Sequence, residues 1–439
     1  MTCNNPNATE SANVTEKLKA HARELEPYVI ERRRHFHAYP ELSAREVSTS
    51  RTIAEELDKL GIEYVRAGGT GLIATIKGTA PDAYDEEGKP RRRIALRTDM
   101  DALPVLEQTK LPFASRNEGV MHACGHDCHM AMMLGAVHLL LGIRDQLHGE
   151  VRVLFQPAEE ISVGSRKMIA EGALDGVDTI YAAHIWSEVE AGTISAEAGP
   201  RMANCDWFRI DVAGASAHGA MPHKGVDAIV VGAAVIDALQ VIVSRDVSPF
   251  DPAVITIGEF HGGVARNIMA GTAYLTGTVR SFTPEVRDYI KERMAHVVEE
   301  VALSYGATAK FEWTYGNSCL VNDEACAARA QNAIAKVAKK HFAITRVRFR
   351  VKTSPSTWQR SPACSCLLVP VIRKWAQRIR STVVSTMSTK AFWWVARLLQ
   401  RSMPSISSLK NRRAAVFGLA ALPACFTDLR RRSLARGGG

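Results

Sequence analysis

After His341 the chain contains no further histidine and a single acidic residue, Asp428. The same stretch, residues 342–439, holds 19 lysines and arginines, a charge of +18. The overall +9 therefore joins two unlike parts, because residues 1–341 carry 36 basic and 45 acidic side chains, or −9. A basic tail invites a nucleic-acid reading, but no helix-turn-helix, zinc finger or RNP-like signature accompanies it, so no nucleic-acid partner is expected. Long apolar runs are also scarce. The longest, near residues 130–143 and 414–426, are too short to span a bilayer and are interrupted by His138 and Pro423, so no membrane is expected. Residues 1–16 are polar and lack the apolar core of a secretory signal. Nine cysteines in such a chain are read as free thiols or ligands, not a disulfide framework, and the expected compartment is the cytoplasm.

What is present is concentrated. Residues 122–129 place three imidazoles, two thiols and a carboxylate within eight positions. Cys124 and His126 flank Gly125, so an extended or tightly turned backbone can aim both side chains at one ion. Thiolate and imidazole suit zinc and other transition metals. At 439 residues and 46% hydrophobic content the chain has room for two domains.

In chain order, residues 16–34 read as one or two helices and 46–60 as a helix stopped by Gly61. Strands are predicted at 71–77 and 93–97, the second running into Thr98-Asp99-Met100-Asp101-Ala102-Leu103-Pro104. An acidic loop at a strand's C-terminal end is the usual place for a ligand in an α/β sheet. A helix at 129–143 and a strand at 150–155 follow, and Gln156-Pro157-Ala158-Glu159-Glu160 closes that strand. Adjacent carboxylates repel, so such a pair calls for a cation or a proton to share. A further strand, 179–183, ends at His184. From 199 to 316 the predicted order is strand 208–212, helix 226–243, strands 253–260 and 273–282, helix 284–305, strand 309–315. That βαββαβ order is ferredoxin-like. Its loops carry His218, His223 and Asn267, with Arg280 on a strand. A helix with Asn322 or Asp323 as N-cap then runs to His341.

Together these motifs resemble the dimetal aminoacylase/carboxypeptidase family, in the branch of N-acyl-amino-acid amidohydrolases, hippurate hydrolases and auxin-conjugate hydrolases. The matching pieces are Pro40-Glu41-Leu42, residues 99–104, 122–127 and 156–160, Ala183-His184, and residues 216–223, 262–267 and 277–282. The resemblance implies a mixed-sheet α/β catalytic domain (1–198, with a return helix at 317–341). Into it is inserted a ferredoxin-like α+β lid and dimerisation domain (199–316). It implies Cys124, His126, Glu160 and His184 as ligands of Zn or Mn, with Co possible and two ions in the family. Glu159 would be the general acid/base and His218 an oxyanion donor across a homodimer interface. Asp101 joins the catalytic group, and Asn267, Arg280 and His223 are substrate-binding candidates. The implied reaction is hydrolysis of an N-acyl amino acid or short peptide by a metal-activated water. A carboxypeptidase or dipeptidase is the alternative enzyme, and a catalytically impaired relic or binding protein the alternative of another class.

The family places one more ligand histidine after a Gly-Glu-Asp-Phe-Ser motif near its C-terminus, and neither occurs here. New codons formed from the last base of each tail codon and the first two of the next allow Gly-Glu-Asp-Phe-Ser across residues 350–355. They also allow a histidine at the Ser381/Thr382 junction. Residues 342–439 are therefore expected to be out of frame and poorly ordered, leaving the second metal site incomplete.

Overall fold

Helix α4 (His126–Leu141) is buried on all sides, which suits a sequence apolar all round rather than on one stripe. Around it the computed structural model describes residues 6–186, 194–335 and 366–372. They divide into one unit up to Gly199 and from Val321 onward, and a second at Pro200–Leu320.

In the first unit come α1 (Pro6–Glu24), α2 (Glu26–Ala38) and α3 (Val47–Lys59), then strands β1 (Glu63–Ala67), β2 (Gly71–Lys77) and β3 (Arg93–Asp99). Beyond α4 lie β4 (Glu150–Gln156), α5 (Gly164–Ala170), β5 (Thr179–Ile185) and β6 (Ile194–Ser195). Helix α3 buries Ile53, Ala54 and Leu57 and stops where Gly61 turns left-handed at φ 64°. The sheet runs β1-β2-β4-β3-β5-β13-β6. Strands β4, β3 and β5 are adjacent and mutually parallel, so their C-terminal ends emerge side by side.

Strand β13 (Cys366–Ile372) departs from the expectation for the tail. This seven-residue segment pairs antiparallel with β5, Leu367 opposite His184. An apolar run with three β-branched residues has the composition of a buried strand. The rest of residues 342–439 lies outside the described residues, as does the predicted helix beyond Ala335.

Strands β7 (Gly199–Met202) and β12 (Leu320–Asn322) pair as a short ribbon, and α8 (Glu324–Ala335) follows. Of the two residues expected to cap α8, Asp323 does so, accepting from the Cys326 N–H at 2.8 Å. The second unit contains β8 (Asp206–Ala213), α6 (Ala228–Val241), β9 (Val254–Gly262), β10 (Thr272–Arg280), α7 (Pro284–Ser304) and β11 (Thr308–Tyr315). Its antiparallel sheet has the order β11-β8-β10-β9, the ferredoxin-like arrangement. Asp227 caps α6 and Thr283 caps α7. The stretch Ala228–Asp246 is, by length and composition, apolar enough to cross a membrane, longer than either run flagged in the sequence. It is a core helix: Val231, Val235, Leu239 and Ile242 are buried against Phe208, Ile210 and Leu275.

Asp206 anchors this second unit. Fully buried, it accepts from the Arg287 guanidinium, the Asn204 side-chain amide at 2.6 Å and the Gly316 N–H at 2.9 Å. Removing one partner of a buried pair strands the other, at about 3–5 kcal/mol. Asp206→Ala should accordingly lower the urea midpoint, whereas Arg209→Ala, at a half-exposed surface pair, should barely move it.

Candidate metal centre

The exits of β3, β4 and β5 bring together most of the residues singled out in the first unit. Asp101 follows β3, Glu159 and Glu160 follow β4, and His184 is the penultimate residue of β5. Cys124 and His126 arrive from the start of α4. Gly125 is required between them twice over. Its φ of 80° is left-handed, and a Cβ there would lie 2.2 Å from the Ile185 side chain.

Cys124, His126 and His184 offer ligand atoms within 4.8 Å of one another, and so do His126, Glu159 and Glu160. His126 belongs to both groups. Its Nδ1 lies 2.8 Å from the Asp101 carbonyl, and His184 Nδ1 bonds the Ile185 carbonyl. A carbonyl can only accept, so each ring donates from Nδ1 and keeps its lone pair on Nε2. Those Nε2 atoms lie 4.0 Å from Cys124 Sγ for His184 and 3.5 Å from Glu160 Oε1 for His126. A histidine held from behind by a carbonyl, its other nitrogen turned towards a thiol or a carboxylate, is how proteins orient imidazoles that ligate a metal. The donor set fits a divalent transition metal.

A third group, Asp99, His126 and His129, is equally close but engaged differently. The Ile185 N–H donates to His129 Nε2 at 2.9 Å, so Nδ1 carries the proton and donates to Asp99 at 2.6 Å. The other Asp99 oxygen accepts from Arg97 at 2.8 Å. His129 thus ties β3 to β5. His122, the remaining imidazole of the motif, is buried with no hydrogen bond to either ring nitrogen among the described residues, and burial pushes its pKa down to about 3. Of three imidazoles that looked equivalent in the sequence, only His126 faces the paired glutamates.

Asp101 accepts from the Ser43 hydroxyl at 2.6 Å and the Glu160 N–H at 2.9 Å. Burial alone would raise its pKa, but His126, Ser43 and the Glu160 N–H outweigh that and hold it at about 2.

The remaining candidates lie in the second unit. His218 and Asn267 sit on neighbouring loops, joined by a bridge from His218 to Ile268 and by the Gly219 N–H donating to the Asn267 carbonyl at 2.9 Å. His223 is exposed on a short helical turn in the His218 loop. Arg280 is not with them: it ends β10, whose nine residues carry it roughly 26 Å from the loop of Asn267.

Sequence reasoning missed a buried relay beside the cluster. Asp127 accepts from Arg33 and from His37 Nδ1, both at 2.8 Å, and His37 Nε2 reaches Glu107 at 3.1 Å. The available signal was the i, i+4 spacing of Arg33 and His37, which puts both on one face of α2.

The model of Peptidase family M20/M25/M40 matches residues 95–358. The chain belongs to this family. It is 40% identical over 328 residues to an N-acyl-L-amino acid amidohydrolase of Geobacillus stearothermophilus, covering 74% of this chain and 86% of the relative. With thermostable carboxypeptidase 1 of Saccharolobus solfataricus it shares 41% identity over 305 residues, 69% of this chain and 75% of that one. A dinuclear metal-binding peptidase of the M20 family from Bacillus subtilis superposes with a TM-score of 0.66 at 32% identity, covering 86% of this chain and 98% of that one. The chain is a metal-dependent amidohydrolase of the M20 family, with a mixed α/β fold and a separate antiparallel sheet consistent with a lid.

The relay predicts a pH dependence of stability. Burial would lower the His37 pKa, but Asp127 and Glu107 raise it to about 9. A pKa raised above the unfolded value of about 6.5 gives stability that is complete below that value and lost as pH climbs through 9. Glu107, held at about 2 against the cost of burial chiefly by His37 and the Ser115 N–H, loses its share only in strong acid. The melting temperature of the wild type minus that of His37→Gln should therefore be largest near pH 6 and shrink by pH 9.5. A difference independent of pH would show that His37 acts through packing alone.

Proposed function

We propose that this chain hydrolyses the amide bond of N-acyl amino acids, with Cys124, His126, Glu160 and His184 holding the metal and Glu159 as general acid/base. The observation that carries this reading is the convergence of both histidine Nε2 atoms on one thiol and one carboxylate pair. A divalent metal bound there supplies Lewis acidity towards a carbonyl and a water of lowered pKa. The Glu159 carboxylate takes a proton from the attacking water and returns it to the leaving amine nitrogen. Asp101 fixes the Glu160 backbone and orients His126 through its carbonyl.

Thiolate with imidazole favours Zn, and the carboxylates admit Mn or Co. With no histidine after His341, a second ion has an incomplete shell. His218 is the oxyanion donor across the homodimer interface, and Asn267, Arg280 and His223 are substrate contacts. Adjacent loops support this for His218 and Asn267, whereas Arg280, at the other end of β10, would meet the substrate from the other subunit. Assembly is a homodimer through the lid. Strand β9 supports this: it is an edge strand whose last five residues are exposed, and an unpaired edge invites a partner strand. The compartment we infer is the cytoplasm, in keeping with the buried thiols of Cys205, Cys319 and Cys326.

The test is a panel of N-acetyl and N-benzoyl amino acids beside peptides with a free C-terminus, assayed with Zn and with Mn. Faster cleavage of the peptides would favour the carboxypeptidase activity named for the Saccharolobus relative. No cleavage of either class would favour the impaired relic. Glu159→Gln should abolish turnover with metal content retained, whereas Glu160→Gln should lose metal together with turnover. Equal metal loss in both would refute this division of roles.

A further inference from the structure

The segment that follows Pro40 was a family-like motif without an assigned task. Ala44 and Ala158 are two of the four non-glycine residues with left-handed backbone among the described residues, at φ 62° and 49°. Sterics make that conformation unfavourable for an L-residue, so something must hold it. One side chain holds both. Glu46 Oε1 accepts from the Ala44 N–H at 2.9 Å and from the Ala158 N–H at 2.8 Å, while Oε2 accepts from the Thr70 hydroxyl at 2.6 Å. Glu46 is wholly buried.

Its place in the sequence suggests another duty. Glu46 occupies the N-cap of α3, where a carboxylate would ordinarily bond the helix's first N–H groups, yet it makes no capping bond. Glu41 takes that role, accepting from the Ser48 and Thr49 N–H groups at 3.0 and 2.8 Å and from the Thr49 hydroxyl at 2.9 Å. Glu46 is thereby released to bond a loop 112 residues further on.

That loop is secured at three other points. The Val163 and Gly164 N–H groups donate to the Ala158 carbonyl at 3.2 and 3.3 Å. A Cβ on Gly164 would stand 1.6 Å from the Pro157 carbonyl oxygen, so the chain closes on itself there. The Glu160 N–H is held separately by Asp101. Ala158 immediately precedes Glu159, and its φ and ψ set the direction in which Glu159 leaves the strand.

We propose that Glu46 is a positioning residue for Glu159: by gripping the left-handed Ala158 N–H it aims the neighbouring carboxylate, independently of the metal ligand Glu160. The proposal rests on the reading of Glu159 as general acid/base. Glutamine can keep the grip, its amide oxygen accepting both N–H groups and its NH₂ donating to the Thr70 hydroxyl. Alanine cannot.

The experiment compares Glu46→Ala with Glu46→Gln in the metal-loaded full chain. Exchange of the Ala158 amide proton should accelerate by about tenfold or more in Glu46→Ala and stay near wild type in Glu46→Gln. Metal content by elemental analysis should be unchanged in both, because Asp101 still holds Glu160. The kcat of Glu46→Ala should fall by about 10- to 100-fold with KM nearly unchanged, as for a misaimed catalytic group. Adding Ala158→Gly to Glu46→Ala should restore part of kcat, since glycine takes the left-handed turn unaided. Unchanged Ala158 exchange in Glu46→Ala overturns the proposal, and so does metal loss in step with kcat, which would make Glu46 a support of the whole cluster. Intact turnover in Glu159→Gln would instead sink the reading of Glu159. The exchange measurement still decides whether Glu46 holds the loop, with or without turnover.

Discussion

The hydrogen bond from His126 Nδ1 to the Asp101 carbonyl, 2.8 Å long, is the contact on which the rest of the centre depends. It fixes the imidazole tautomer, and with it the direction of the Nε2 lone pair. It also joins the first residue of α4 to the loop leaving β3. The Asp101 side chain extends that tie to β4 by accepting the Glu160 N–H, and to the segment before α3 through the Ser43 hydroxyl. Four pieces of chain remote in sequence are thus held through one aspartate. Its carboxylate stays ionised while buried because donors surround it.

Most helices and strands were legible because their signals are local, although the seven-residue α5 was not anticipated. Alternation predicted 71–77, and the observed strand is Gly71–Lys77. The βαββαβ order of the second unit was recognisable because each element there has its own period and cap, Asp227 and Thr283 among the caps. Short β1 and β6 carry too few residues for a period to show. Cys124, His126, Glu159, Glu160 and His184 were visible as dense or strand-terminal polar residues, and the structure brings all five together.

Residues that act by reaching across the chain were not legible. Glu46 looks like a helix cap, and nothing nearby reveals that Glu41 has taken the cap or that the true partner is Ala158. His37 and Asp127 are 90 residues apart, and each alone reads as an ordinary polar residue of a helix. Arg280 was legible by type and motif, but its separation from Asn267 by the length of β10 was not. Motif spacing names residue types, but only the fold decides which of them can meet.

Strand β13 separates two requirements that the tail meets unequally. A place beside β5 is filled through backbone N–H and carbonyl groups, which every residue but proline carries. Any apolar run of adequate length can therefore compete for it, and Cys366–Ile372 does so despite Pro370. A ligand position has no such tolerance, since one side-chain atom of the right chemistry must arrive at one point. The sequence after His341 offers no imidazole and only Asp428 as an acid. The central sheet can thus accept a strand from this tail while the metal shell gains no histidine from it. Filling a strand position and supplying a ligand are separate demands on a stretch of chain.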